Sequence, residues 1–217
     1  MTKSSEHCDH GKPTCRAGTL ALVGCELAFD FTNTTSGRGG DRHIEHLNTA
    51  DDVVVWAHHA NIISRQSVRL LQRLFARSPR LSRDMQLRAL GLRDTIYRIG
   101  TALAAGRPPP SLDLNQLAHS HAECLRSAHL RRFSGAYVWA WDAGRDPVEA
   151  VLGPIALSAL TLLSQADLSR VKQCPGRDCG WLFFDITKNK SRRWCEMEVC
   201  GNRAKQKRLR QKRYRES

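Results

Sequence analysis

The feature that most constrains this chain is a half-site that occurs twice. Cys174-x4-Cys179-Gly180 recurs as Cys195-x4-Cys200-Gly201, with 15 residues between Cys179 and Cys195. Two thiols a few residues apart reach one ion if the chain turns sharply between them, and two such pairs complete the tetrahedral shell that Zn(II) prefers. Glycine after each second cysteine permits the tight turn that aims backbone N–H groups at a sulfur. The spacing predicts one Zn(II) per chain on Cys174, Cys179, Cys195 and Cys200, with an iron centre or a redox pair as the alternative. A four-thiolate shell has no open position, so the site is expected to be structural. It leaves a net charge of about −2, which Arg177, Arg192, Arg193 and Arg203 offset. Trp181, Leu182, Phe183 and Phe184 supply apolar packing to a module too small for its own core, so metal binding is expected to drive its folding.

Charge is as uneven as the cysteines. The 217 residues carry a formal +13, and from Val171 to Ser217 there are 14 Lys and Arg against 5 Asp and Glu, leaving +9 there and +4 for residues 1–170. A basic segment of this kind attracts polyanions. With no run of about 18 apolar residues and no lipidation signal, a nucleic acid is a better partner than a membrane. A merely solubilising tail is the bland alternative. The start of the chain, Met1 to Gly18, lacks the apolar stretch of a signal peptide, and four of the eight cysteines have metal-ligand spacing. A cytoplasmic protein without disulfides is expected.

With 41% apolar residues, the chain can bury one sizeable core and carry a small appended module. The expected division is a disordered leader over 1–18, an α+β domain over 19–166 with its own core, and the zinc module with a basic helix over 171–217. His7, Cys8, His10 and Cys15 lie in the leader, and whether they bind metal is open. Leu20, Leu22 and Val23 lead into Leu27, Phe29 and Phe31, two apart as on one face of a strand. A polar, Gly-rich loop follows from Thr34 to Asp41. Thr49 and Asp52 resemble a capping box for a helix from Ala50 to His59. Further helices are predicted over Ser64–Ala76, Ser82–Ala105 and Asp113–Cys124. Around Ser134-Gly135, Leu130 and Phe133 on one side and Tyr137, Trp139 and Trp141 on the other predict a hairpin. Asp146-Pro147-Val148-Glu149 then offers an N-cap, a first-turn proline and a third-position carboxylate for an apolar helix reaching Ser164. Helices thus dominate, with a small antiparallel sheet.

After Gly201 the chain is basic and made of good helix formers, from Asn202 to Arg215, with almost no apolar face. Such a helix is unstable alone; it is expected to dock by its first turn on the zinc module and to be completed by an anionic partner. The phosphate-contacting set is Arg203, Lys205, Lys207, Arg208, Arg210, Lys212 and Arg213, with Arg192 and Arg193 beside the third cysteine.

Cys200-Gly201-Asn202-Arg203, preceded by Trp194-Cys195 and the upstream cysteine pair, resembles the CGNR zinc finger that ends many bacterial transcription regulators. Leu27-Ala28-Phe29-Asp30-Phe31-Thr32-Asn33-Thr34, then Leu47 and Trp56, resembles the ABATE domain normally paired with that finger. Together the resemblances cover residues 19–212. They imply a stress-induced transcription regulator with the four cysteines as zinc ligands and the finger as its DNA-binding part. Phe29 stands where that family usually has a small aliphatic residue. The upstream domain is left to sense a small-molecule effector or to form a homodimer. One arrangement for an effector pocket has Asp30, Asn33 and Arg38 as its floor and Trp56, Trp139 or Trp141 as walls; the other has Asp30 and Asn33 merely satisfying backbone groups.

Two function classes compete with duplex DNA binding. A zinc module with a basic helix suits folded or ribosomal RNA equally well, although only Tyr214 beyond the finger is available for base stacking. An enzyme is not expected: His43, His46, His58 and His59 are numerous, but no nucleophile elbow, phosphate loop or His-Glu-x-x-His pattern accompanies them. Cys25 and Cys124 are expected to be small buried hydrophobes.

Overall fold

The computed structural model describes residues 16–38, 40 and 43–216, with side chains up to 213. The leader cluster of His7, Cys8, His10 and Cys15 lies outside the described residues. Six helices build the larger part: α1 (Leu27–Thr32), α2 (Ala50–His59), α3 (Arg65–Arg77), α4 (Pro79–Ala104), α5 (Ser111–Leu125) and α6 (Glu149–Gln165). Three two-stranded antiparallel ribbons accompany them: β1–β2 (Thr35–Ser36, Ile44–Glu45), β3–β4 (His129–Phe133, Ala136–Ala140) and β5–β6 (Val171–Gln173, Leu182–Phe184). α7 (Asn202–Glu216) ends the chain. The α+β class holds, with helices dominant.

Side chains start the helices where the sequence signalled, with two exceptions. At α2, Asp52 N–H donates to Thr49 Oγ1 at 3.2 Å while Thr49 N–H donates to Asp52 Oδ2 at 2.9 Å, a full capping box. α4 begins at Pro79 rather than near Ser82, because Ser78 Oγ accepts from Leu81 N–H and Pro79 occupies the first turn, where its missing N–H costs nothing. At α6 the side chain of Asp146 caps no N–H; its backbone carbonyl instead accepts from Ala150 N–H at 2.9 Å.

The expected strand through Leu27, Phe29 and Phe31 is a helix. α1 is surrounded: Ala28, Phe29, Phe31 and Thr32 are all buried. A short segment buried on every side has no solvent face to reveal its period, so alternation and helical burial read alike. Residues two apart on a helix point nearly opposite ways, and Phe31 meets Trp56 with ring centroids 5.0 Å apart while Phe29 packs on Leu162, Val171 and Leu182.

The main core gathers Phe31, Leu47, Trp56, Leu71, Met85 and Ile155 along α4. Arg93, buried in α4, grips Glu45 through two hydrogen bonds of 2.6 Å and so ties the β1–β2 ribbon to the core. Burial raises the Glu45 carboxyl, but the Arg93 guanidinium outweighs it and holds the group below its ordinary value. The β3–β4 ribbon turns through Ser134 and Gly135, both with left-handed φ, and every residue of β3 is exposed. No described helix is long and apolar enough to cross a membrane.

Candidate metal centre and basic cleft

β5 delivers Cys174 into a tight knuckle. Cys174 N–H donates to Trp181 O at 2.8 Å, Cys179 N–H donates to Gly176 O at 3.0 Å, and Gly180 takes the left-handed φ of +72° that only glycine adopts freely. The N–H groups of Cys195 and Gly176 point at Cys174 sulfur, and that of Trp181 at Cys179 sulfur. The second half-site is built differently. A five-residue π-type turn, Met197–Gly201, brings Cys200 round, with Cys200 N–H and Gly201 N–H both donating to Glu196 O. Gly201 has no left-handed φ; it is small because Met197 Sδ and Trp194 Cδ1 fill the space a Cβ would need.

The four sulfurs lie within 4.8 Å of one another, with Cys179–Cys195 at 3.5 Å and Cys195–Cys200 at 3.6 Å. A tetrahedral Zn–S bond of about 2.3 Å implies sulfur–sulfur edges of about 3.8 Å, so the cage is the right size. Cys174, Cys195 and Cys200 are buried. Hydrogen bonds from Cys179 and Cys195 lower the Cys174 thiol, whereas Cys195 is driven strongly upward by its sulfur neighbours and by burial. Such a cluster resists carrying four thiolates by itself and needs a dication to do so. The four cysteines therefore form one structural zinc site.

The module is fastened to the larger part by buried polar bonds. Asn33 side chain donates to Leu182 O and accepts from Leu182 N–H; Trp181 Nε1–H donates to Thr35 O at 2.8 Å; Tyr97 O–H donates to Gly180 O at 3.2 Å. Gly100 lets β6 approach α4, since a Cβ there would lie 2.5 Å from Leu182 Cδ1. Asp185, fully buried, accepts from Lys172 Nζ, Thr187 and the Arg192 N–H. Burial opposes its ionisation, but these donors prevail and hold the carboxyl well below the usual range.

Arg192, expected at phosphates, is turned inward. Its guanidinium donates to Val23 O at 2.7 Å, to Cys195 O and to Trp194 O, and stacks 4.4 Å above the Phe183 ring. A guanidinium engaged on every edge has no donors left for a ligand. Cys25, expected to be buried, is exposed with a left-handed φ of 59°, its sulfur 3.0 Å from Arg192 Nη1. Cys124 is buried as expected, and burial pushes its thiol up to about 11.

The remaining basic residues divide. Arg203, Lys207 and Arg208 join Arg177 and Arg193 around a cleft of about 440 Å³ between the first knuckle, Trp194 and α7. Arg193 stacks over Trp194 at 5.3 Å. Lys205, Arg210, Lys212 and Arg213 lie elsewhere on α7 and are exposed. Arg177 and Trp194 were not read as contact residues; the signal for Arg203 and Lys207 sharing a face was their spacing of four.

Asp30, Asn33 and Arg38 share no cavity with the three tryptophans. Asp30 Oδ1 accepts from Gly24 N–H at 2.7 Å, and Arg38 reaches Asp94 at 3.0 Å beneath a stacked Tyr97. Trp56 is fully buried, while Trp141 donates to Cys124 O at 2.7 Å and Trp139 stands on the exposed ribbon. His46, His58 and His59 bond Ser36 Oγ, Ile63 O and Leu20 O.

Comparison with family models matches residues 26–166 to ABATE, described as "Putative stress-induced transcription regulator", and residues 170–213 to the CGNR zinc finger. A search among curated proteins gives no match.

Proposed function

Because the chain belongs to the ABATE family and ends in a CGNR zinc finger, we propose that it is a DNA-binding transcription regulator whose finger contacts duplex DNA while residues 19–166 sense a small effector. The observation that carries this reading is the ring of Arg177, Arg193, Arg203, Lys207 and Arg208 around one cleft of the finger, opposed among its lining residues by Asp178 alone. Guanidinium and ammonium groups crowded in this way repel one another and are relieved by phosphates, which release their condensed counterions on binding.

Zinc supplies the rigidity. With the knuckle and the π-type turn pinned to one ion, α7 leaves the module in a fixed direction, and its exposed basic residues continue the charged surface past the cleft. Residues on a helix projecting from a zinc-held turn suit the backbone of a duplex and the edge of its major groove. Chemistry of the ion itself is not called upon, since the shell is closed.

Fluorescence anisotropy against a mixed-sequence DNA duplex and a structured RNA, across one salt series, tests the assignment. Tighter binding to the duplex, falling steeply with salt, is expected. A clear preference for RNA would replace it with the RNA-binding reading.

A further inference from the structure

A second cavity, of about 520 Å³, lies between the β3–β4 ribbon and the loop joining α2 to α3. Its volume is in the range of small-molecule sites. Trp139 and Trp141, two apart on one strand direction, give it indole walls. Trp141 is held in place by its bond to Cys124 O and by Gly153, where a Cβ would lie 2.7 Å from Trp141 Cζ2. Trp139 is 45% exposed.

The polar lining is one-sided in charge. Arg131 lines the cavity, has no hydrogen-bonding or acidic partner among the described residues, and meets no Asp or Glu among the lining residues. Ser64 and Ser67, from the first turn of the 13-residue α3, add the partial positive charge of that helix end. His58 Nδ1–H donates to Ile63 O at 3.0 Å, which fixes the ring and leaves Nε2 without a partner among the described residues.

We propose that this cavity binds a small aromatic carboxylate, its ring between Trp139 and Trp141 and its carboxylate on Arg131. The proposal rests on the reading of residues 19–166 as a sensing domain and names its site and ligand class. Flat indole walls favour a flat apolar ring, and one unpaired guanidinium favours one bidentate carboxylate. The ribbon gains as well. A two-stranded hairpin is marginally stable alone, β3 is exposed along its whole length, and a ligand wedged beneath it ties the strands to α3.

The test is calorimetric titration of the full-length, zinc-loaded protein with 1-naphthoate and with neutral 1-naphthylmethanol, alongside DNA anisotropy. Expected is one naphthoate per chain, bound at least about tenfold tighter than the alcohol, as a charge-assisted pair implies. Arg131→Gln removes that preference and leaves alcohol binding intact; Trp139→Ala weakens both. Naphthoate binding that leaves DNA affinity unchanged supports the site and removes only its sensing role. Equal affinity for acid and alcohol, unaltered naphthoate affinity in Arg131→Gln, or no heat at millimolar naphthoate overturns the proposal. Loss of DNA affinity in ligand-free Arg131→Gln overturns it too, by making the ribbon part of the nucleic-acid surface.

Discussion

Asn33 and Leu182 exchange two hydrogen bonds, of 2.9 and 3.0 Å, across 149 positions of sequence. The Asn33 side chain imitates the backbone of a neighbouring strand and closes the edge of β6, so the zinc module is seated on α1 as if by an extra strand. Replacing Asn33 by Ala strands both Leu182 backbone groups in a buried place. The expected loss is about 2–4 kcal/mol, at 1–3 kcal/mol per orphaned group, measured by urea unfolding. A loss below about 0.5 kcal/mol, the size of ordinary surface changes, would show that the pair does not fasten the module.

The same joint sets the outcome of cutting the chain after Ala166. The main core lies wholly upstream of the cut, so a cooperative transition is expected. Phe29 and Leu162 lose Val171 and Leu182, however, so the midpoint should fall to lower urea. Non-cooperative melting would mean that the module completes the core.

A pH effect is expected from Asp30. Burial raises its carboxyl to about 6, against the lowering effect of the Gly24 N–H and Arg192. The folded state then holds a proton that the unfolded state has released, so stability from this group is full below its unfolded value near 4 and falls as pH rises to about 6. Asn at position 30 removes that slope. Urea midpoints at pH 5 and pH 7.5 check it: the wild type should lose more stability over the interval than Asp30→Asn.

Much of this was legible in the sequence because the signals were local. A repeated Cys-x4-Cys-Gly, a Thr-x-x-Asp cap and a Ser-Gly turn each fix geometry within a few residues. What failed to show was set by neighbours distant in sequence. α1 passed for a strand because α4, α6 and β6 bury all its sides. Arg192 passed for a phosphate contact because its acceptors, Val23 O among them, lie up to 169 residues away. Asn33 was read as one part of a pocket floor, or as a residue satisfying its own turn, because its partner is the backbone of the zinc module.

Zinc content follows from the closed shell. Purified protein should contain one zinc per chain, and Cys195→Ser should lose it, because Cys195 contacts the sulfurs of both Cys179 and Cys200 and three thiolates hold the ion far less well. Elemental analysis decides; full zinc retention in Cys195→Ser would remove that residue from the shell.

The phosphate role of the finger cleft is tested most directly by the salt dependence of duplex binding in a variant with Arg193, Arg203, Lys207 and Arg208 all changed to Ala. None of these is a zinc ligand, so zinc content should stay at one per chain. Each phosphate contact contributes a slope of about −0.9 in log affinity against log salt, so the slope should flatten by up to about 3.6 and affinity at low salt should collapse. Unchanged slope and affinity in a variant that keeps its zinc would contradict the assignment of the cleft as the nucleic-acid contact.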